Sequence, residues 1–305
     1  MGKRRRVRGT RGALRFYMDV LGLEHLHYGL WDGGPLTFDG LKAAQERYTD
    51  HLIELIGSRA GSILDCGCGT GITALKLRAR GFEVEGLTPD PHQHETFVAR
   101  TGLTCHRVRF QEFRPARRYD VVLMSESCGY IPLDLLFQAV RRAAPGGAWL
   151  VADYFSLYKD GSKLSKSGHL LDRFLAEARD RGLEMEYEED ITDKVTPTLD
   201  LVRVAIDEKA LPAARMFGEW LADRYPILYP PLFKTARFLL RKPIAKAESQ
   251  RVLIDSDAFR SAKRYMIYRF QVPERDGPDT PGAPPAPRPA PHAGAPARAG
   301  DVTRT

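Results

Sequence analysis

Ile63-Leu64-Asp65-Cys66-Gly67-Cys68-Gly69-Thr70-Gly71 is the stretch that decides the fold of this chain. The β-branched and apolar run from Ser62 to Cys66 reads as a buried strand, and Ile72 to Arg80 reads as a helix stopped by Gly81. Glycines between a strand and a helix permit positive φ and let backbone approach a ligand with no Cβ in the way. A G-x-G-x-x-G spacing would point to a dinucleotide whose pyrophosphate sits on the helix N-terminus. Here Gly67, Gly69 and Gly71 alternate instead, and Asp65 stands two residues before the first of them. A carboxylate there suits a ligand with a positive amino group better than a pyrophosphate.

Outward from this loop the chain alternates between strand and helix patterns. Strands are expected at 82–88, 106–110, 120–125, 148–155 and 264–272. Helices are expected at 11–21, 38–56, 94–101, 133–144 and 170–181. Such alternation predicts an α/β fold: a Rossmann-like doubly wound, mostly parallel sheet with helices on both faces. The region from about 208 to 258 departs from the pattern. It is helical in character and sets Trp220, Tyr225, Tyr229, Phe233 and Phe238 beside Lys234, Arg237, Arg241, Lys242 and Lys246, so it reads as an inserted helical cap. Residues 1–15 read as a basic flexible arm. Residues 273–305, rich in Pro, Ala and Gly, read as a disordered tail that cannot bury enough apolar surface to offset the entropy of ordering. A single domain is left between them, 16–272.

The 305 residues are 43% hydrophobic and 28% charged, an ordinary globular balance. The net charge of +7 is matched by Lys3, Arg4, Arg5, Arg6, Arg8, Arg11 and Arg15, all ahead of the first acidic residue. The body of the chain is therefore near neutral, and nucleic acid is not an expected partner. No apolar run reaches the ~18 residues of a membrane span, and no signal-peptide core follows the basic start, so a cytoplasmic protein is expected. Cys66, Cys68, Cys105 and Cys128 lack the paired spacing of a zinc site; neither metal nor disulfide is expected.

The pattern D-x-G-x-G-x-G resembles the first motif of class I S-adenosylmethionine (SAM)-dependent methyltransferases. The resemblance implies SAM as cofactor, with Asp65, Gly67, Gly69 and Gly71 around its methionine part. Further on, Gly86-Leu87-Thr88-Pro89-Asp90-Pro91-His92-Gln93 resembles the G-[LV]-T-x-S-x-x-Q signature of cyclopropane fatty acid synthases, mycolic acid methyltransferases and geranyl diphosphate C-methyltransferases. It implies Thr88 and Gln93 on the ribose side. Asp90 is either a rival ribose ligand or the N-cap of the next helix, and residue type favours the cap. Val108-Arg109-Phe110-Gln111-Glu112-Phe113-Arg114 resembles the V-R-L-Q-D-Y-R stretch of the cyclopropane synthases, implying Glu112 near the adenine amino group and Phe113 near its ring.

The end of the fourth strand, from Met124-Ser125-Glu126-Ser127-Cys128-Gly129-Tyr130 to Phe137, resembles the N-E-S-x-x-Y-V-x-L-x-x-L-F pattern of the geranyl diphosphate C-methyltransferases. It also resembles the E-S-x-E-H-M-P of tocopherol-type methyltransferases. This implies Glu126 as cation stabiliser or base and Tyr130 as an aromatic face, with Ser125 on the cofactor side and Cys128 lining the pocket. Methyl transfer to an alkene carbon leaves a cation, which a carboxylate or ring eases until a proton is lost. Where cyclopropane synthases and tocopherol methyltransferases carry Glu-His, this chain has Gly129-Tyr130, so methyl transfer without ring closure is expected. Upstream, His27-Tyr28-Gly29-Leu30-Trp31 resembles their H-Y-G motif, implying Tyr28 at the methyl-donor end and His27 and Trp31 at the substrate pocket.

The expected reaction is C-methylation of a small apolar molecule, an isoprenoid, lipid or polyketide-like compound. O- or N-methylation of a natural product and SAM binding without turnover are the alternatives. The cap, with Tyr225-Pro226-Ile227-Leu228-Tyr229 ahead of a basic helix, reads either as a lid docking on a membrane surface or as a packed hairpin with a solvated basic face. Lys234, Arg237, Arg241 and Lys242 could also hold a phosphate head group. The sequence leaves the oligomeric state open.

Overall fold

The computed structural model describes residues 16–58 and 60–274. Helix α1 (Phe38–Ile56) begins at Thr37, whose side chain accepts from the Gly40 N–H. Then follow β1 (Ser62–Cys66), α2 (Ile72–Ala79), β2 (Glu83–Leu87), α3 (Pro91–Thr101), β3 (Cys105–His106), β4 (Val121–Ser125), α4 (Leu133–Ala143), β5 (Ala148–Ser156), α5 (Leu171–Asp180) and β6 (Glu184–Asp190). A helical stretch comes next: α6 (Thr192–Val195), α7 (Pro197–Val204), α8 (Leu211–Arg224), α9 (Tyr229–Gln250) and α10 (Ser256–Ala262). The final strand is β7 (Lys263–Gln271).

Among the described residues the strands form one seven-stranded sheet in the order β3-β2-β1-β4-β5-β7-β6. β1 pairs in parallel with β2 and β4, and β4 with β5, whereas β7 runs antiparallel to both β5 and β6. This is the expected doubly wound α/β sheet with a helical insertion before its last strand.

Strand side chains alternate faces, so a sheet covered on both sides shows unbroken apolar runs. Leu64, Val122, Met124, Trp149 and Val151 enter one core with Leu136, Phe137 and Val140 of α4 and Phe174 of α5. Their neighbours Ile63, Val121, Leu123, Leu150 and Ala152 enter the other with Tyr48, Leu52 and Ile56 of α1 and Leu77 of α2. Trp149 anchors the first core, edge-on to Phe137 at 5.4 Å and tilted against Phe174 and Phe270 at 5.6 Å. Trp149→Ala is expected to cost about 3–5 kcal/mol in urea unfolding. Trp149→Phe should cost much less, because it keeps a ring and removes an Nε1–H that has no hydrogen-bond partner.

Several sequence expectations need correction. The strand expected at 106–110 is only Cys105–His106; the chain then turns, and Phe110–Glu112 is a 3₁₀ turn with Phe110 buried. The apolar residues there pack as knobs beside α4 instead of extending an edge strand. Strand β6 was not expected: its run of Glu184, Glu186, Glu188 and Glu189 hides an edge strand that leaves most of its side chains to solvent. The helix expected at 94–101 starts at Pro91, because the Asp90 side chain accepts from the His92 and Gln93 N–H groups and Pro91 has no amide proton to strand. Of the helix expected at 11–21, the described residues show one π-helical turn, Phe16–Val20, and residues 11–15 lie outside them. The arm 1–15 and most of the tail also lie outside the described residues.

Candidate active site

The carboxyl ends of β1, β2 and β4 converge where the glycine loop leaves β1. Gly67, Gly69 and Gly71 all have positive φ (87°, 52° and 89°), and Gly71 caps α2. At Gly67 a Cβ would come within 2.5 Å of the Ser127 Cβ. Ser127 in turn donates to the Cys66 carbonyl at 2.6 Å, tying the ends of β1 and β4 together. Gly67→Ala is therefore expected to destabilise the fold by about 1–3 kcal/mol and weaken cofactor binding. In a thermal melt, adding Ser127→Gly should restore part of that loss, because it removes the clash but not the backbone strain.

Asp65 is 3% exposed, and its Oδ2 has no hydrogen-bond partner. Burial pushes its carboxyl up to about 7. A buried, orphaned carboxylate oxygen beside bare backbone is a site built for a cationic group. On the β2 side, the Thr88 hydroxyl donates to Gln93 Oε1 at 2.8 Å and accepts from the Asp90 N–H at 3.2 Å. Thr88 is itself buried, so it orients Gln93, whose NH₂ end is left as the donor. Asp90 is the cap of α3. Phe113 is buried against His106, with centroids 4.7 Å apart, and Glu112 is exposed beside Arg109 at 3.7 Å.

Glu126 follows β4 and has φ 52°, in the left-handed region that non-glycine residues avoid. This conformation turns its carboxylate into the crevice. Oε1 accepts from the Tyr28 backbone N–H at 2.7 Å and from the Tyr265 hydroxyl at 2.8 Å. Tyr265 lies 2.8 Å from the Tyr48 hydroxyl, which lies 3.1 Å from Ser125 Oγ. Each hydroxyl has one proton, so with Glu126 ionised the donation order is fixed: Ser125 to Tyr48, Tyr48 to Tyr265, Tyr265 to Glu126. Desolvation pushes the Glu126 carboxyl up to about 8, and buried Asp153 on β5 adds to the rise. Asp153 itself accepts from the Gly129 and Tyr154 N–H groups.

The segment holding Tyr28 is fastened across the sheet end. Gln45 donates to the His27 carbonyl at 2.6 Å, the Trp31 N–H to the Lys194 carbonyl at 2.8 Å, and Thr70 to the Glu24 carbonyl at 2.6 Å. His27 packs tilted against the Tyr48 ring at 4.3 Å, and its Nε2 lies 3.1 Å from His25 Nδ1; burial and that neighbour push its pKa down to about 3, so it stays neutral. Trp31 is buried with Leu23, Leu41, Ala44 and Leu201, its Nε1 donating to Thr198. Cys128 is buried, and its carbonyl lies 3.0 Å from His169 Nε2. Tyr130 stands at the rim, 81% exposed. The structure thus gathers Asp65, the three glycines, Ser125, Glu126 and Tyr28 at the strand ends, with Gln93 across β2. His27, Trp31 and Phe113 are packed behind or beside them.

Sequence reading missed Tyr48, Asp153 and Tyr265. Asp153 could have been found as the one charge inside the apolar run from Ala148 to Phe155. The tyrosines carried no such signal, since an aromatic on an amphipathic helix or a buried strand is ordinary core. Lys263, also missed, is buried over the Tyr154 ring at 4.0 Å, and its Nζ donates to Ser167; desolvation pushes its pKa down to about 8.

A doubly wound sheet with an acid-flanked glycine loop at its switch point is the architecture of a nucleotide-cofactor site. A profile of the methyltransferase domain matches residues 41–198, and the chain belongs to that family. It is 30% identical over 205 residues to the 27-O-demethylrifamycin SV methyltransferase of Amycolatopsis mediterranei strain S699, an alignment covering 59% of this chain and 74% of that protein. Solved structures share the fold. The [4+2]-cyclase SpnF has a TM-score of 0.60 at 18% identity, covering 87% of this chain and 96% of its own. The geranyl diphosphate C-methyltransferase of Streptomyces coelicolor A3(2) has 0.58 at 16%, covering 87% and 98%. This chain is a SAM-dependent methyltransferase. Bound SAM supplies a methyl group on a positively charged sulfur. The orphaned, buried Asp65 oxygen would suit the amino group of such a cofactor, the bare backbone of Gly67 to Gly71 would leave room alongside, and the Gln93 amide would be free to donate toward the sugar. Among the described residues no helix is long and apolar enough to cross a membrane.

Proposed function

We propose that this enzyme methylates a small, largely apolar natural product and that Glu126 removes the proton the acceptor must lose. The observation that carries this reading is Glu126 itself: a strained, inward-turned carboxylate with one oxygen fixed by two donors and a pKa lifted by burial to about 8. A base is most effective when its pKa lies near ambient pH, since it is then both available and basic enough. Tyr28 holds Glu126 through its backbone, and its ring faces Tyr265 and Phe259 at 5.7 and 6.2 Å, giving the crevice an apolar wall. On this reading Tyr130 closes over the mouth when substrate enters.

The acceptor atom is a hydroxyl oxygen in our reading, in keeping with the O-methylating relative of Amycolatopsis. C-methylation of an isoprenoid, lipid or polyketide-like alkene is the second reading. The wall of Tyr28, Phe259 and Tyr154 favours it, because aromatic faces beside a carboxylate ease a carbocation. The test is to incubate the full chain with methyl-deuterated SAM and natural-product extracts, then locate the label by mass spectrometry and NMR. A labelled methoxy group supports the first reading and a labelled C-methyl the second. Demethylated cofactor without any labelled product would remove both.

A further inference from the structure

Helix α8 carries Leu211, Met216, Phe217, Trp220 and Leu221, yet none of its 14 residues is buried. Helices in proteins gain most of their stability by covering an apolar stripe, and here the described chain leaves the stripe to solvent. Phe217 stacks with Trp220 at 5.7 Å, and on α9 Tyr229 stacks with Phe233 at 5.3 Å. Between the helices, the turn projects Ile227 (86% exposed) and Leu228, and further along α9 Leu239 is 67% exposed. So many large apolar side chains on one pair of helices mark a surface meant to be covered.

The charge on the same segment says by what. From Arg224 to Lys246 there are six basic residues, Arg224, Lys234, Arg237, Arg241, Lys242 and Lys246, and no acidic one. The side chains of Lys234, Arg241 and Lys242 are exposed. Protein interfaces are depleted in lysine at their centres, whereas an anionic lipid surface accepts both halves of this composition: cations at the phosphates, apolar side chains beneath. We propose that α8 and α9 dock on an anionic bilayer surface, with Trp220, Ile227 and Leu228 entering the headgroup layer and Lys234, Arg241 and Lys242 meeting the lipid phosphates. A bilayer is also the phase in which an apolar methyl acceptor concentrates.

The full chain carries its own probe. It has three tryptophans, and Trp31 and Trp149 are buried while Trp220 is 54% exposed. Mixed with phosphatidylcholine vesicles containing phosphatidylglycerol, the protein should co-sediment and its emission should shift to the blue, a shift absent in Trp220→Phe. Binding should weaken with added salt. Replacing Lys234, Arg241 and Lys242 together by Gln should reduce partitioning by up to ~150-fold, at about fivefold per charge. Ile227→Ser with Leu228→Ser should reduce it by about tenfold or more. SAM affinity by calorimetry should be unchanged in both variants, which shows that they fold and keeps this result separate from any on methyl transfer. The proposal fails if the protein ignores anionic vesicles at low salt. It also fails if binding survives both sets of substitutions and disappears on deleting residues 1–15, or if an acidic protein captures the cap while vesicles do not.

Discussion

Glu126→Gln is expected to lower kcat by roughly 10²–10⁴-fold, the range for losing a general base, while SAM affinity changes little. Glutamine has the same shape, and its oxygen can still accept from the Tyr28 N–H and the Tyr265 hydroxyl. The amide cannot take a proton, so the geometry survives and the chemistry does not. Wild-type kcat/KM should rise with pH toward about 8 and then level, since only the ionised carboxylate acts as base. Tyr265→Phe supplies the control for positioning. Its hydroxyl bond holds the Glu126 pKa down, so removing it moves the rising limb to higher pH while leaving the base in place. Steady-state rates across pH for the three proteins decide the matter. Unchanged turnover in Glu126→Gln would remove Glu126 from the reaction.

Asp65→Asn is expected to weaken SAM binding by roughly 10- to 100-fold, the ~1.5–3 kcal/mol of a hydrogen bond to a charged group. The pH dependence is the sharper signature. In the free protein the Asp65 carboxyl keeps its proton up to about pH 7, whereas a cationic amino group needs the carboxylate. Below pH 7, binding should therefore release a proton, and affinity should fall by up to about tenfold per pH unit. The asparagine variant should bind weakly and show much less of that slope. Stability moves the other way. The folded pKa lies above the ordinary 3.8, so between these values the native state holds a proton that the unfolded state lacks, and native stability declines as pH rises through that window. Without ligand, Asp65→Asn should accordingly melt at or above the wild-type temperature at pH 8. Calorimetry and melts at pH 5.5 to 8.5 test both halves, and an undiminished slope in the variant would move the titration to another group.

Most of the fold was legible because a doubly wound sheet writes two apolar faces into each central strand. Ile63 and Leu64, or Val121 to Met124, can be nothing but buried strand beside amphipathic helices. The edges were less legible. β6 offers only Met185 and Tyr187 among its acidic residues, and β3 is two residues long, so neither carries an apolar run. The same divide runs through the site. Asp65 and the three glycines are local in sequence, and their spacing is their meaning. The fastening of Glu126 is not local: Tyr28, Tyr48 and Tyr265 come from a loop, a helix and the last strand, and meet only through the sheet order. The identity of the acceptor atom leaves no mark in spacing at all, because a base serves an alcohol and a carbocation alike.

The place of β7 has a consequence for how the enzyme is made. It inserts between β5 and β6, with Val151 opposite Tyr268 and Asp190 opposite Met266, although both neighbours are synthesised well before it. On the ribosome, β5 must wait with an unsatisfied backbone edge until the entire cap has been translated. Contacts this distant along the chain form slowly, and an open apolar edge invites pairing with other nascent chains. The hydroxyl that steadies Glu126 arrives on that same late strand, so on the proposed reading of Glu126 the base would be held in place only after β7 has paired.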